Sequence, residues 1–549
     1  MMPRLTRAKG PLLLVVIAAI PRLLGAFFLP NTFGDAYVYI RDIGTLSTKI
    51  KAGTFALTDL YGFWLPLYQF LSALVNVFVG NGFYTGKIVS AFAGVGVCLF
   101  VYTITLRVVQ NQTAALLSFL LIALNPLHIM NSASAMTDVP HALFVLASLY
   151  FVLKKRWVLA AVFTALAGLT RVESWMLIAL IPTIQFWKER RVSIPAILIM
   201  LFAPLFWFYV SWKATGDWLA CFKVREQYKD WLLTQNPALA EFSVRGVIQD
   251  TAMLVSGIDL AVLCAAFVSC GLVLKRLTRR DVANGVAAKV DTSNTRLASS
   301  NIDSILPLVV FFFPFLALLV VAYLTHQQPI IFPRYGLVLF SVGIPILAWT
   351  YFAIVRRRPQ WSRRILTAIA LLCAVNLSAQ FAGGVGELNR YRAQRHVANY
   401  LSYQFEMNPG VRIFCDEGTV RALSGIPEDR FVTSADAPND REGFLSFLEK
   451  LNVEWLIVVV KNDSIVGHLF PGSQYGESIG PYEPRMLRQS PFLHIRMFIY
   501  RRKPAINSQI NLRLNMSNAA CDARHRMSSR SPGMFSFLCS VCASSASAM

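Results

Sequence analysis

Apolar runs long enough to cross the ~30 Å hydrocarbon core of a bilayer recur along this chain as far as residue 382. In lipid, backbone groups have no water to bond, so runs of this kind are expected to be spanning helices. The candidates are residues 11–30, 86–106, 113–131, 138–153, 157–170, 174–187, 193–212, 251–274, 304–324, 336–355 and 365–382. That is about eleven spans, of which the fifth and sixth are short. Composition excludes a soluble protein of this length: 55% of residues are hydrophobic and 15% charged, with a mean hydropathy of +0.50.

Basic residues orient the spans, because Lys and Arg in short loops stay cytoplasmic. The clusters are Arg4/Arg7/Lys9, Lys154/Lys155/Arg156, Lys188/Arg190/Arg191, Lys275/Arg276/Arg279/Arg280, and Arg356/Arg357/Arg358 with Arg363/Arg364. All fall on one side if the apolar run Pro66 to Gly80 is a re-entrant or interfacial helix and not a span. The N-terminus is then cytoplasmic. The loops around Asp35 and Asp138, residues 213–250, His326 to Arg334 and everything after 382 are outside. The first apolar run is longer than the core of a typical signal peptide, and no small-residue cleavage site follows it, so it is expected to remain as an anchor.

The net charge of +22 comes largely from these clusters and a basic tail. It suits orientation and attraction to anionic lipid. Nothing in the pattern calls for nucleic acid. Cys98, Cys264, Cys270 and Cys373 lie in the expected spans, where a thiol is a small core residue. Cys539 and Cys542 have C-x-x-C spacing but no partner ligands, so no metal or redox centre is expected there.

Beyond residue 382 the pattern changes. A helical segment at 388–406 leads to a strand at Val411 to Cys415, a helix at 441–451, a β run at Trp455 to Val460 and a last strand at His494 to Tyr500. The expected organisation is a membrane domain at 1–382, a small extracytoplasmic α/β domain at 383–503, and a disordered, Ser- and Arg-rich tail at 504–549.

The residues with chemical potential gather near outward-facing span ends. Asp35 stands in the polar stretch after the first span, where a membrane enzyme can keep a base at the water boundary. Asp42 lies seven residues on, the same face if the segment is helical. An interfacial helix with Lys49 and Lys51 explains Asp42 nearly as well. Asp138 opens the next outward turn, and an acid beside a span is costly unless solvated, paired or functional. His128 and His141 flank it and are expected to be hydrogen-bonded interfacial histidines.

Arg171 and Glu173 interrupt an apolar stretch, and an i,i+2 pair does not face itself on a helix. Arg171 is therefore expected to reach toward a phosphate while Glu173 finds another partner; a structural intramembrane ion pair is the competing expectation. Arg334 carries a planar fork able to hold two phosphate oxygens, on the same side as Asp35; here the bland alternative is a snorkelling anchor. The aromatic and basic segment from Lys213 to Asp250 suits a membrane-surface helix that guides a prenyl chain, and equally plain interfacial anchoring.

The order of these features resembles the GT-C class of integral-membrane glycosyltransferases, in particular the branch of protein O-mannosyltransferases and aminoarabinose transferases. The matching residues are Gly34-Asp35, Trp64-x-Pro66-Leu67-Tyr68, Asn125-Pro126 through Ser134 to Asp138, Leu169-Thr170-Arg171-x-Glu173, and Arg334-Tyr335, over roughly residues 10–355. The resemblance implies a polyprenyl-phosphate monosaccharide donor and inverting transfer to an acceptor outside. It implies Asp35 as general base, Asp138 as a second site acid, and cationic groups for the leaving phosphate, for which Arg171 and Arg334 beside Tyr335 are the candidates; Asp42 is a possible second acid at the substrate site by its spacing from Asp35. Many members carry Asp followed by Glu, whereas this chain has Ala36. No cofactor is expected, and a metal would want the paired acids missing at that position.

Two other classes compete. A transporter or lipid-carrier flippase would show related halves and acids at mid-membrane depth; here the acids lie near helix ends, and no convincing repeat is visible. A non-catalytic assembly or sensor protein would act through the C-terminal domain. Loss of activity in a normally expressed Asp35→Asn variant separates an enzyme from both. The motifs leave open the sugar and whether the acceptor is a protein, lipid or glycan. They fit a bacterial inner membrane or an endoplasmic reticulum membrane, and sequons at Asn462 and Asn515 matter only in the latter.

Overall fold

A computed structural model describes residues 9–31, 33–235, 243–285, 292–328, 330–434, 437–460, 465–489 and 496–503. The tail at 504–549 with Cys539, Cys542 and the Asn515 sequon, the Asn462 sequon, and Arg4 and Arg7 lie outside the described residues.

The membrane part is a helical bundle. It begins with α1 (Lys9–Phe28), α2 (Gly34–Lys51), α3 (Leu67–Val79) and α4 (Gly82–Val109). It continues through α5 (Gln112–Ala123), α6 (Pro126–Ser132), α7 (Asp138–Leu153), α8 (Trp157–Gly168), α9 (Leu177–Glu189) and α10 (Ile194–Thr215). It closes with α11 (Ala220–Gln235), α12 (Val244–Ile258), α13 (Leu260–Gly285), α14 (Thr292–Leu324), α15 (Leu337–Val355) and α16 (Ser362–Met407). Large apolar side chains face outward around it, Phe78, Phe92, Leu198 and Val375 among them. Such a surface is stable only against lipid.

The expected eleven spans are not all present as single straight helices. Among the described residues six helices are long and apolar enough to cross, or eight if two bent pairs each count once. The candidate at 113–131 bends by 61° between α5 and α6, and that at 251–274 by 82° between α12 and α13. Pro126 explains the first break, since the residue before proline disfavours helix. Asn125 caps α6 through the His128 amide (2.8 Å). The second break sits at Asp259, whose φ is +75°; its carboxylate caps α13 through the Ala261 amide (2.8 Å). A break in lipid exposes carbonyls, and Arg22 of α1 answers those of α5 by donating to Ile122 and Ala123 (3.2 and 3.1 Å).

The run Pro66 to Gly80 forms a short apolar helix. Its helix α3 has 13 residues, about 20 Å at 1.5 Å each, too short for the hydrocarbon core. Its start and its last turn are both tied to the bundle: Leu67 donates to the Leu169 carbonyl, and Asn76 to Ser47 of α2. Its buried face is the polar one, with Gln69, Ser72 and Asn76, while Phe78 and Val79 point out. This inversion is expected of a helix lying at the lipid boundary. At the opposite end, Arg107 of α4 donates to the Leu153 carbonyl beside Lys154.

The 46-residue α16 runs on past residue 382 without interruption and carries a five-stranded sheet. The strands are β1 (Arg412–Cys415), β2 (Phe431–Val432), β3 (Val453–Val460), β4 (Tyr482–Gln489) and β5 (Arg496–Arg502), in the order β2-β1-β3-β5-β4. The first three pair in parallel and the last two antiparallel. Alternation along β3 divides the core. Trp455 and Ile457 pack with Val397 and Leu401 of α16 and with Val420 of α17 (Gly418–Ser424). Leu456 and Val458 pack with Phe444 of α18 (Arg441–Lys450) and Val466 of α19 (Ile465–Leu469). The C-terminal part of α16 is therefore part of this domain's core. It brings Thr419 of α17 beside Gly34, the first residue of α2.

Candidate active site

Asp35 occupies the first turn of α2, and the 3-10 turn Pro333–Gly336 leads into α15. These segments, 299 residues apart in sequence, meet where Arg334 Nη2 donates to Asp35 Oδ2 at 2.7 Å. Arg334 is buried and Asp35 is 41% exposed, so the carboxylate meets solvent with the guanidinium behind it. Three rings cradle that guanidinium: Phe332 at 4.8 Å, Phe33 at 5.1 Å and Tyr335 at 5.6 Å. Aromatic faces stabilise a cation without neutralising it. The buried Arg334 Nε has no hydrogen-bond partner, leaving one edge of the fork able to bind an oxyanion.

A second charged group lies alongside. Asp138 opens α7, and its Oδ1 accepts from Arg171 Nη1 at 3.0 Å. Arg171 also donates to Glu173 Oε1, from Nη2 at 2.7 Å and Nε at 3.2 Å. The expectation that the i,i+2 pair would not meet is thus corrected. Arg171 is extended (φ −149°, ψ 140°) ahead of the 3-10 turn Val172–Met176, not helical. The side-chain directions of a helix do not apply there. Burial alone would raise the Glu173 carboxyl, but the Arg171 charge and its hydrogen bonds outweigh it and hold the group down at about 2. Tyr335 lies between the two arginines, its ring 5.8 Å from Arg171, and its hydroxyl accepts from Gln328 at 3.0 Å.

Asp138, Arg171, Glu173, Arg334 and Tyr335 line a small cleft whose remaining wall includes Phe315, Leu319, Val338 and Leu339. One side can take an anionic headgroup and the other a hydrocarbon. Asp138 Oδ2 is buried without a partner, an acceptor ready for a substrate hydroxyl. Among the described residues no cluster of side chains with metal-ligand character occurs.

Of the residues singled out from sequence, Asp35, Arg334 and Tyr335 are brought together, as are Asp138 and Arg171. Asp42 pairs instead with its neighbour Arg41, at 3.4 Å. His141 bonds the Ser174 hydroxyl (2.7 Å), and His128 the Arg22 guanidinium (2.8 Å). The segment 213–250 contains helix α11, from which Arg225 reaches the Phe63 carbonyl (3.4 Å). Sequence reasoning missed the loop that presents Asp138. Asn31 accepts from the Ala135 amide (3.0 Å), Ser90 donates to the Met136 carbonyl (3.0 Å), and Tyr39 bonds Thr137 (3.4 Å). Single buried polar residues within apolar runs were the available signal.

Residues 61–181 match the family model of dolichyl-phosphate-mannose-protein mannosyltransferase, a stretch that contains Asp138, Arg171 and Glu173. Among solved structures, the fold matches that of ArnT from Cupriavidus metallidurans bound to undecaprenyl phosphate, with a TM-score of 0.50 and 13% identity. The match covers 90% of this chain and 98% of that one. The chain shares the fold of that ArnT and, over residues 61–181, is similar to the mannosyltransferase family. ArnT from the same organism in the apo state also matches, with a TM-score of 0.39 at 13% identity over the same shares. No curated protein matches the chain. The protein is integral to the membrane and multi-pass, and Asp138, Glu173, Arg171 and Arg334 line its charged cleft.

Proposed function

We propose that the protein transfers a monosaccharide from a polyprenyl-phosphate donor to an acceptor hydroxyl on the outer side of the membrane. The observation that carries this is the pairing of the half-exposed Asp35 with Arg334, which itself lines a cleft of charged and apolar side chains. Undecaprenyl phosphate, the lipid bound to the similar ArnT, has the carrier chemistry such a donor requires.

In this reaction Asp35 accepts the proton of the acceptor hydroxyl as its oxygen bonds the anomeric carbon. The bond from that carbon to the phosphate oxygen breaks, and the phosphate leaves with the electron pair. Arg334 offsets the charge that develops on it. A single displacement inverts the anomeric centre. Asp138 orients hydroxyls through its unpartnered Oδ2, held in place by Arg171. Asp42 pairs with Arg41 outside the cleft lining and takes no part in the step. The membrane domain at 1–382 performs the chemistry, and the α/β domain at 383–503 stands over its mouth. Metal is not required, because the arginines supply the cationic stabilisation.

Arg334→Ala is expected to cost on the order of 100-fold in kcat/KM for the donor, the loss typical of one oxyanion-stabilising group. Steady-state assays with a panel of polyprenyl-phosphate sugars measure it, and parental donor kinetics would return Arg334 to an anchoring role. Mass spectrometry of lipid-linked sugars in a deletion strain identifies the donor by its accumulation.

Orientation gives a separate prediction. By the positive-inside rule, the charge clusters favour a cytoplasmic loop Lys154 to Arg156 and an external α/β domain. Thiol labelling of single cysteines at residues 155 and 475 should report opposite sides, and labelling from one side only would refute the topology.

A further inference from the structure

The 3-10 turn that carries Arg334 is held by a contact between two backbones. A Cβ at Gly257, in the last turn of α12, would overlap the Pro333 carbonyl oxygen and stand 2.8 Å from the Pro333 carbonyl carbon. A Cβ at Gly336 would stand 2.6 Å from the Gly257 carbonyl carbon and 2.8 Å from the Ile258 nitrogen. Neither contact can be relieved by turning a side chain, because the opposing atoms are main chain. The two glycines flank Arg334 and Tyr335 on one side and Asp259 on the other.

Behind this contact the break between α12 and α13 is fixed. Asp259 has φ +75°, an unfavourable conformation for a residue with a Cβ, and it persists only where its surroundings determine it. Asn376 of α16 donates to Asp259 Oδ2 at 3.1 Å. One turn further on, Gln380 donates to the Ser256 carbonyl at 2.7 Å, and its own Oε1 accepts from Asn125 at 2.8 Å. Two hydrogen bonds from one helix face therefore hold the last turn of α12, and that turn in turn holds residues 333–336.

We infer that Gly257 and Gly336, backed by Asn376 and Gln380, are positioning residues for Arg334. They set the place of its guanidinium between Asp35 and the cleft without touching substrate. The inference rests on the phosphate-binding role given to Arg334 above. A guanidinium displaced by ~1 Å loses hydrogen-bond geometry at every oxygen it serves, and misplacement of that size commonly costs on the order of 100-fold in rate.

The test is a double-mutant cycle read as the Kd of undecaprenyl phosphate for the purified full-length protein in nanodiscs, measured by ligand-induced thermal shift. Gly257→Ala and Arg334→Ala are each expected to raise Kd by ~10-fold or more, the loss of charge-assisted hydrogen bonds. The double variant is expected to bind no more weakly than Arg334→Ala alone, since a displaced guanidinium has no effect once it is absent. A merely structural defect gives losses that multiply, and that result, or parental affinity in Gly257→Ala, overturns the positioning role. Should Gly257→Ala fail to accumulate, Gln380→Met adds no atom to the glycine contact and carries the same cycle, with the same two outcomes deciding. Parental affinity in Arg334→Ala would instead sink the phosphate-binding role itself, so the two failures are distinct.

Discussion

Asp35→Asn is expected to reduce turnover by ~10²- to 10⁴-fold, the contribution of a positioned general base, while the protein accumulates normally and binds donor at least as well as the parent. The amide retains the size of the carboxylate and an oxygen for Arg334 Nη2, which now donates at 2.7 Å. It cannot take the acceptor's proton at neutral pH. The stability cost is small, because Asp35 is 41% exposed and half-solvated pairs contribute ~1 kcal/mol or less. Donor affinity should not fall, since Arg334 loses its carboxylate partner and keeps its charge for the phosphate. That sign separates the variant from Arg334→Ala, which weakens donor use. Asp138→Asn should be milder in turnover, as its oxygen orients and does not accept the proton. The comparison uses purified proteins at matched concentration, a polyprenyl-phosphate sugar and a crude acceptor fraction. Near-parental turnover in Asp35→Asn would end the assignment of the base.

Much of this arrangement could be anticipated from residue pattern because the bilayer is an unforgiving solvent. Apolar length located the spans at α1, α4, α10 and α15. Acids at outward span ends pointed to Asp35 and Asp138. The bends were harder to see. Asn125-Pro126 carries a local signal, but the break at Asp259 depends on Asn376 and Gln380, more than a hundred residues away. Hydropathy averages across such a break and returns one span. The Arg171–Glu173 pair was misjudged because facing rules assume helix, and the extended backbone of Arg171 comes from the turn between α8 and α9. Strand β4 went unseen, since Glu483, Pro484 and Arg485 hide a β pattern that only pairing with β5 supports. That Arg334 would meet Asp35 was suggested by shared side alone; the rings that aim it, Phe33 and Phe332, follow from tertiary packing.

Arg171→Met should be the most destabilising single change in the cleft, by about 3–5 kcal/mol, the typical cost of removing one partner from a buried ion pair. Arg171 serves two carboxylates, Asp138 and Glu173, with side-chain exposures of 4% and 24%. Methionine fills much of the same volume but leaves both carboxylates facing an apolar wall. The pH dependence gives the mechanism a distinctive sign. In the parent, the folded Glu173 carboxyl lies at about 2, below its ordinary 4.5. Its contribution is therefore fully present above pH ~4.5 and lost as pH falls toward 2. Without Arg171, burial dominates and the carboxyl moves above its ordinary value, so lowering the pH through 5 should stabilise the variant. Apparent melting temperatures in detergent from pH 7 to pH 4 measure both slopes. The parent should hold steady and then fall, whereas Arg171→Met should start lower and recover. Arg171→Met/Glu173→Gln should regain part of the loss at pH 7, because one unpaired charge has been removed. A variant that melts with the parent at every pH would show that the charges in this cleft are solvated, and that Arg171 is free to do something other than hold its neighbours.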